Sequence, residues 1–355
     1  MIALLVCAAV LVADQPALPA ANGTVTIEAQ EWPAKPGPRT IQTYIYYPDK
    51  QLSSVNESTG LMLCLHNWGG TGAIGAPDPI AVADRYNVIA ICVDYLQSGK
   101  WDPAAGLPYD FGYLQALDAL RALHHVFDAL DASKIPFARG RIYACGGSGG
   151  GNVSLMANKL APRTFACIVD ISGMAKLTDD IAYGLPGGSE LNAGYEKKEV
   201  SHQSTNGNPR ALTAGAQELR YVGNPTHLKT MTESGNRATV VVIHGADDTV
   251  CPVEDVREMV GNMKQAGIDV MPHFITKQDI DGKRIKDTGH SIGDRTGLLF
   301  HYADDFLQPG SAKLRVREGK IDFELRDEVV RYETTDGVYV ISYLDGAPVG
   351  RFESR

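Results

Sequence analysis

A chain of 355 residues is long enough for one large domain with an appendage. Its 44% hydrophobic and 21% charged content is that of a soluble globular protein. A formal net charge of −9 argues against nucleic acid or an anionic membrane as partner, since both demand a basic surface. Beyond the N-terminus, no apolar stretch approaches the length of a bilayer span.

Residues 2–13 are apolar, and small residues and prolines follow through Ala21. This pattern predicts a secretory signal peptide over residues 1–21, cleaved after Ala13 or near Ala20 and Ala21, and so a secreted or periplasmic protein. No basic residue follows Met1, and the alternative is a buried apolar N-terminus. Residues 24–29 and 40–47 alternate apolar with polar and predict an antiparallel hairpin.

Four apolar runs come next, at 61–65, 88–93, 141–145 and 165–171. Helical runs at 79–86, 112–130 and 149–160 separate them, the middle one marked by Leu114, Leu117, Leu120, Leu123 and Phe127 on one face. Strands alternating with helices predict an α/β fold: a mostly parallel twisted sheet covered by helices on both faces, with its site beyond the carboxyl ends of the strands. Residues 172–238 form a long excursion rich in Gly, Asn, Ser and Thr. A connection of that length is usually functional or disordered. The β-branched run 239–243 and the run 270–275 predict the last two strands, and a helix starts near Arg295. After Pro309 the character changes to short alternating strands with an Asp336-Gly337 turn, a small β-meander over 310–355. It is expected to pack on the body spanning 22–309; the alternative is a carbohydrate- or partner-binding appendage.

The sharpest chemical signal is Gly146-Gly147-Ser148-Gly149-Gly150, between a predicted strand and a predicted helix. A serine at the apex of such a turn sits in strained backbone with its hydroxyl thrown clear of the sheet. The flanking glycines avoid collisions that side chains would cause. A serine hydroxyl is a weak nucleophile until a base takes its proton. Two later loops offer the partners. One is His244-Gly245-Ala246-Asp247-Asp248-Thr249-Val250-Cys251-Pro252, and the other ends in Gly289-His290.

On these stretches the chain resembles the serine α/β-hydrolases, in particular the dienelactone-hydrolase and prolyl-oligopeptidase-like branch, over residues 40–307. The family's acid loop usually reads H-G-x-x-D-x-x-V/C-P, which places the acid at Asp248, with Asp247 as the fallback. Its base stands in a G-H pair after the last strand, which implies His290. The resemblance then implies an α/β-hydrolase fold in which 172–238 is a cap-like insertion. It also implies an oxyanion hole made by the backbone N–H groups of Gly149 and Trp68. Trp68 lies in His66-Asn67-Trp68-Gly69-Gly70, where Asn67 replaces the family's usual glycine. Asparagine tolerates left-handed backbone better than most residues, which is one way the loop can keep its path.

The chemistry implied is attack of Ser148 on an ester or amide carbonyl, with His290 as base and then acid, and Asp248 fixing the imidazole. The expected substrate is a small-molecule or polysaccharide ester, with peptides second. A non-catalytic binding protein on the same fold is the competing class. Trp101, Tyr109, Phe111, Tyr183 and Tyr195 are candidate substrate-binding aromatics, though surface packing explains such residues equally well. Asp281 and Asp287 read as solvated. No cofactor and no metal is expected, because no cluster of three or four ligands stands out and His66 and His244 lack a partner at metal-binding spacing. The five cysteines after Cys7 read as buried free thiols rather than a disulfide framework, with one bridge left possible.

Overall fold

The computed structural model describes residues 16–101, 106–197 and 208–355. Most of the predicted leader therefore lies outside the described residues. The chain opens with β1 (Gly23–Glu28) and β2 (Thr40–Tyr46), paired antiparallel. Val25, Ile27, Ile41 and Ile45 are buried while Thr24, Thr26 and Gln42 face water, so period-two alternation sets this pair.

From here strands and helices alternate. β3 (Gly60–Leu65), α1 (Pro79–Tyr86), β4 (Val88–Val93), α2 (Tyr113–Ala132), β5 (Ile142–Gly147), α3 (Gly149–Leu160) and β6 (Cys167–Ile171) follow in order. Three short helices, α4 (Asp179–Tyr183), α5 (Ala214–Leu219) and α6 (Pro225–Glu233), lie in the long excursion. β7 (Thr239–Gly245), α7 (Val253–Gln265), β8 (Val270–Ile275) and α8 (Arg295–Leu307) complete the body. A terminal sheet of β9 (Val329–Glu333), β10 (Gly337–Ser342) and β11 (Val349–Ser354) is fully antiparallel.

The main sheet has eight strands in the order β1-β2-β4-β3-β5-β6-β7-β8, parallel from β4 onward. Every residue of β3 to β7 is buried, as continuous apolar strands must be when helices cover both faces. One face is closed by α1 and α8 through Val82, Tyr86, Leu298 and Leu299. The other is closed by α2, α3, α6, α7 and the terminal sheet. Cys64, Cys92, Cys145 and Cys167 all lie on the first face as free thiols, the sulfurs of Cys64 and Cys145 being 3.8 Å apart on adjacent strands.

Two features go beyond the sequence reading. Leu228 and Met231 of α6, with Leu219 and Val222, sit in the main core. The second half of the excursion is therefore part of the body, and the segment around α4 is the part that reaches the site. The terminal sheet shares that same core through Val330, Tyr332, Ile341 and Tyr343. Its tyrosines reach the far end of α3: Tyr343 Oη donates to the Leu160 carbonyl at 2.7 Å and Tyr332 Oη to that of Lys159. The fully buried Lys159 ammonium in turn donates to the carbonyls of Leu219 and Tyr221, at 2.7 and 2.9 Å. Burial holds its pKa well below the ordinary lysine value.

Candidate active site

β5 runs through Gly147, and α3 begins at Gly149. Ser148 alone makes the turn, at φ 56° and ψ −120°. That conformation costs a non-glycine residue about 1–3 kcal/mol and persists only where the surroundings impose it. Here they do. A Cβ on Gly146 would stand 2.3 Å from the Gly150 carbonyl carbon, so strand and helix touch backbone to backbone. The helix also stands against the loop after β3: a Cβ on Gly149 would lie 2.7 Å from the Trp68 amide nitrogen. The two N–H groups expected to form the oxyanion hole are therefore neighbours.

Asn67 does not use left-handed backbone, since its φ is not positive. The path of this loop is instead held by its side chain, which donates from Nδ2 to the Trp68 carbonyl at 2.9 Å and accepts from Arg295 Nη1 at 3.0 Å. His66 supports the same loop, bonding the Asn67 carbonyl through Nδ1 at 2.8 Å and the Ser98 hydroxyl through Nε2 at 2.7 Å.

The acid and the imidazole arrive on the loops after β7 and β8. His290 Nε2 lies 3.0 Å from Ser148 Oγ, and its Nδ1 lies 2.9 Å from Asp248 Oδ2. Asp248 is the residue in line, not Asp247, whose carboxylate accepts from the Thr288 hydroxyl at 2.6 Å and so tethers the two loops. A Cβ on Gly245 would meet the Thr288 carbonyl oxygen at 2.2 Å, so the histidine loop crosses directly over that glycine. Asp281 and Asp287 are exposed yet organise this loop. Asp281 Oδ1 accepts from the amides of Lys283, Arg284 and Ile285, and Asp287 Oδ1 accepts from that of Thr288.

Burial alone would raise the Asp248 carboxyl. Hydrogen bonds from His244 and His290, and their positive charge when protonated, outweigh it and hold the group well below the usual carboxylate range. Oδ1 also accepts from the amides of Val250 and Cys251, at 2.9 and 3.0 Å. The group is thus ionised at any working pH and can orient His290 through Nδ1–H.

Cys251 is the residue sequence reasoning missed. Its thiol is buried beside the Ser148 hydroxyl, and its sulfur, a His290 ring nitrogen and an Asp248 oxygen all lie within 4.8 Å of one another. Three residues past the acid, it reads in sequence as loop filler, and only the approach of the His290 loop makes it part of the site. Burial and the charge of Asp248 push its thiol well above the ordinary value. It is a neutral thiol at neutral pH and so a poor nucleophile.

The aromatic candidates divide. Trp68 and Tyr109 stack in parallel with ring centroids 3.8 Å apart, and Trp101 leans on both at 5.5 and 5.3 Å. This wall continues the loop bearing the Trp68 amide, and the Tyr109 amide ties it to the excursion by donating to the Ala193 carbonyl at 2.8 Å. Tyr183 packs against the same cluster. Phe111 is wholly buried at φ 57° and Tyr109 keeps only 1% of its surface, so both lie in the cluster beneath the two tryptophans. Tyr195 packs against that cluster as well and also lines a separate cavity of about 340 Å³ with Asp110, Arg220 and Tyr339, where none of Ser148, Asp248 and His290 appears.

Behind the acid lies Asp170 on β6, completely buried, with neither carboxyl oxygen in a well-aligned hydrogen bond. Burial raises it to about 6, a shift eased by His244 and the nearby Gly173 amide. A carboxyl raised in the fold binds its proton more tightly folded than unfolded, so stability falls as pH rises between about 4 and 6. Held ionised above pH 6, this carboxyl costs the fold on the order of a few kcal/mol. Asp170→Asn is therefore expected to raise the unfolding free energy by about 2–3 kcal/mol at pH 7.5, with the gain vanishing near pH 4. Urea denaturation at the two pH values checks this, and an equal change at both would contradict it.

A parallel sheet in this order, with a strained serine turn after β5, an acid after β7 and a histidine after β8, defines the α/β-hydrolase fold. The family described as Protein of unknown function (DUF2920) matches residues 96–346, and the chain belongs to it. A sequence comparison with curated proteins finds no match. Among solved structures the chain is similar to Pyrococcus horikoshii acylaminoacyl peptidase, with TM-score 0.52 and 14% identity, covering 79% of this chain and 40% of that one. It is likewise similar to Porphyromonas gingivalis dipeptidyl peptidase 4, with TM-score 0.52 and 14% identity, over 81% of this chain and 35% of that one. A Mycobacterium tuberculosis puromycin-hydrolyzing peptidase gives TM-score 0.50 and 15% identity, over 80% and 39%. The chain thus spans 35–40% of the length of these proteins, and at such identities the likeness establishes the fold.

Proposed function

We propose that this protein is a serine hydrolase that cleaves carboxylic esters through an acyl-enzyme intermediate. One observation carries the reading: an unbroken hydrogen-bonded line from Ser148 Oγ through the His290 ring to Asp248, at distances of 3.0 and 2.9 Å. His290 Nε2 accepts the hydroxyl proton as Oγ attacks the carbonyl carbon. The developing oxyanion turns to the amides of Trp68 and Gly149, beside the positive end of α3. The imidazolium then protonates the leaving alkoxide, and water repeats the sequence to free the acid. Trp68 and Trp101, backed by the buried Tyr109, form the wall against which an acyl or sugar group rests, and a polysaccharide acyl or acetyl ester is a natural candidate. On the same reading residues 1–21 are a leader and the enzyme acts outside the cytoplasm.

A second reading, a serine peptidase, is favoured by the neighbours, since the solved structures named above are peptidases. The test has two parts. A fluorophosphonate probe is expected to label the folded protein at Ser148, and absence of labelling would leave a binding protein on this fold. Short and long p-nitrophenyl esters are then compared with aminoacyl and dipeptidyl anilides. Turnover of anilides at rates equal to or above those of esters would replace the ester reading with the peptidase one.

A further inference from the structure

We infer that the triad is also a binding site for a thiophilic divalent cation, zinc fitting best, held by Cys251 Sγ, a ring nitrogen of His290 and a carboxylate oxygen of Asp248, and that the bound ion switches the enzyme off. The switching half rests on the proposed hydrolase reading, whereas the binding half does not.

The donor atoms of these three residues lie within 4.8 Å of one another. Tetrahedral zinc with bonds of about 2.0–2.3 Å needs donors separated by about 3.4 Å, so modest side-chain shifts close the site. Thiolate, imidazole and one carboxylate suit zinc and its soft neighbours, and not magnesium or calcium. Ser148, whose hydroxyl neighbours the thiol, leaves its oxygen or a water as fourth ligand. The surroundings hold the donors in place. Asp248 Oδ1 is fixed by the amides of Val250 and Cys251, and His244 Nε2 stands against the Cys251 carbonyl at 2.8 Å. Entry runs past His290, whose side chain keeps 22% of its surface, whereas Asp248 keeps none. Such outer contacts orient ligands and raise affinity.

Binding exchanges a proton for the ion: the S–H bond of Cys251 breaks, a sulfur–metal bond forms, and the proton leaves to solvent. No electrons are transferred. The His290 nitrogen that takes the metal is lost either to Ser148 or to Asp248, and with it the base or its orientation.

The test uses the full chain titrated with Co²⁺ and with Zn²⁺. Co²⁺ is expected to give a near-ultraviolet thiolate-to-cobalt charge-transfer band saturating at one ion per chain, absent from Cys251→Ala and Cys251→Ser. Zn²⁺ is expected to suppress both ester turnover and fluorophosphonate labelling, EDTA to restore them, and both variants to need at least tenfold more Zn²⁺. Thermal melting identifies whichever variant is folded. A band that survives in a folded variant, no band in the wild type, or zinc sensitivity equal in wild type and variant would overturn the site. If untreated wild type fails to react with the probe, the hydrolase reading falls, and the cobalt band still decides the metal site.

Discussion

Ser148→Ala is expected to lower kcat/KM for a short p-nitrophenyl ester by a factor on the order of 10⁴–10⁶, and His290→Ala by a similar factor. The line of 3.0 and 2.9 Å contacts makes the residues one device: without the base the hydroxyl keeps its proton, and without the hydroxyl the base has nothing to activate. The losses therefore should not add, and the double variant should be no slower than the worse single one. Residual activity is expected from the amides of Trp68 and Gly149, which neither substitution touches. Asp248→Asn should cost about 10⁴, because an amide in that place favours the wrong tautomer of His290. Steady-state kinetics on the four variants, with circular dichroism to check folding, measures all of this. A fall of less than tenfold for His290→Ala would mean that another group is the base.

The second large effect concerns the terminal sheet. Asp322, just before it, is wholly buried, and its carboxylate accepts from the Arg163 amide at 2.7 Å, Arg163 Nε at 3.1 Å and Thr164 Oγ1 at 2.9 Å. Burial raises this carboxyl above the usual range, and Arg163 and Thr164 offset only part of the rise. Removing the carboxylate leaves the Arg163 amide and the Thr164 hydroxyl without their acceptor, while the guanidinium keeps Glu328 and the Ser234 carbonyl, a loss on the order of 2–3 kcal/mol. Asp322→Ala is expected to lower the melting temperature by several degrees or more. Activity of the folded fraction should stay within a few-fold, since Asp322 meets the chain just beyond the end of α3 remote from Ser148. Chemical denaturation measures the first and kinetics well below melting the second. A change under 1 kcal/mol would show that the terminal segment is held by apolar packing alone. Tyr343→Phe, which loses one bond to the Leu160 carbonyl, should cost only about 1 kcal/mol.

Glycine and periodicity made much of this protein legible before any coordinates. The serine turn could be read because a backbone crossing as tight as that of Gly146 and Gly150 admits no side chain, and so leaves a mark in the sequence. The strands of the main sheet could be read because burial on both faces demands unbroken apolar runs. The loops of Asp248 and His290 could be read because each follows a strand to the same rim of the sheet, and the resemblance to the serine α/β-hydrolases implied which residues in them.

What a side chain touches at long range leaves no such mark. Cys251 looks like any loop cysteine until the segment carrying His290, some forty positions later, folds over it. Tyr109 and Phe111 are both buried in one cluster beneath the site, and only the fold shows that Trp68 and Trp101, from separate loops, stack over Tyr109. Tyr195 came to stand between that cluster and a second cavity, and α6 in the main core, by the route the excursion takes over the body. Local sequence thus determined the elements and the order of the reacting groups. The tertiary structure decided which neighbours those groups acquired, because contacts between distant segments depend on how whole faces pack, and no short stretch of chain encodes that.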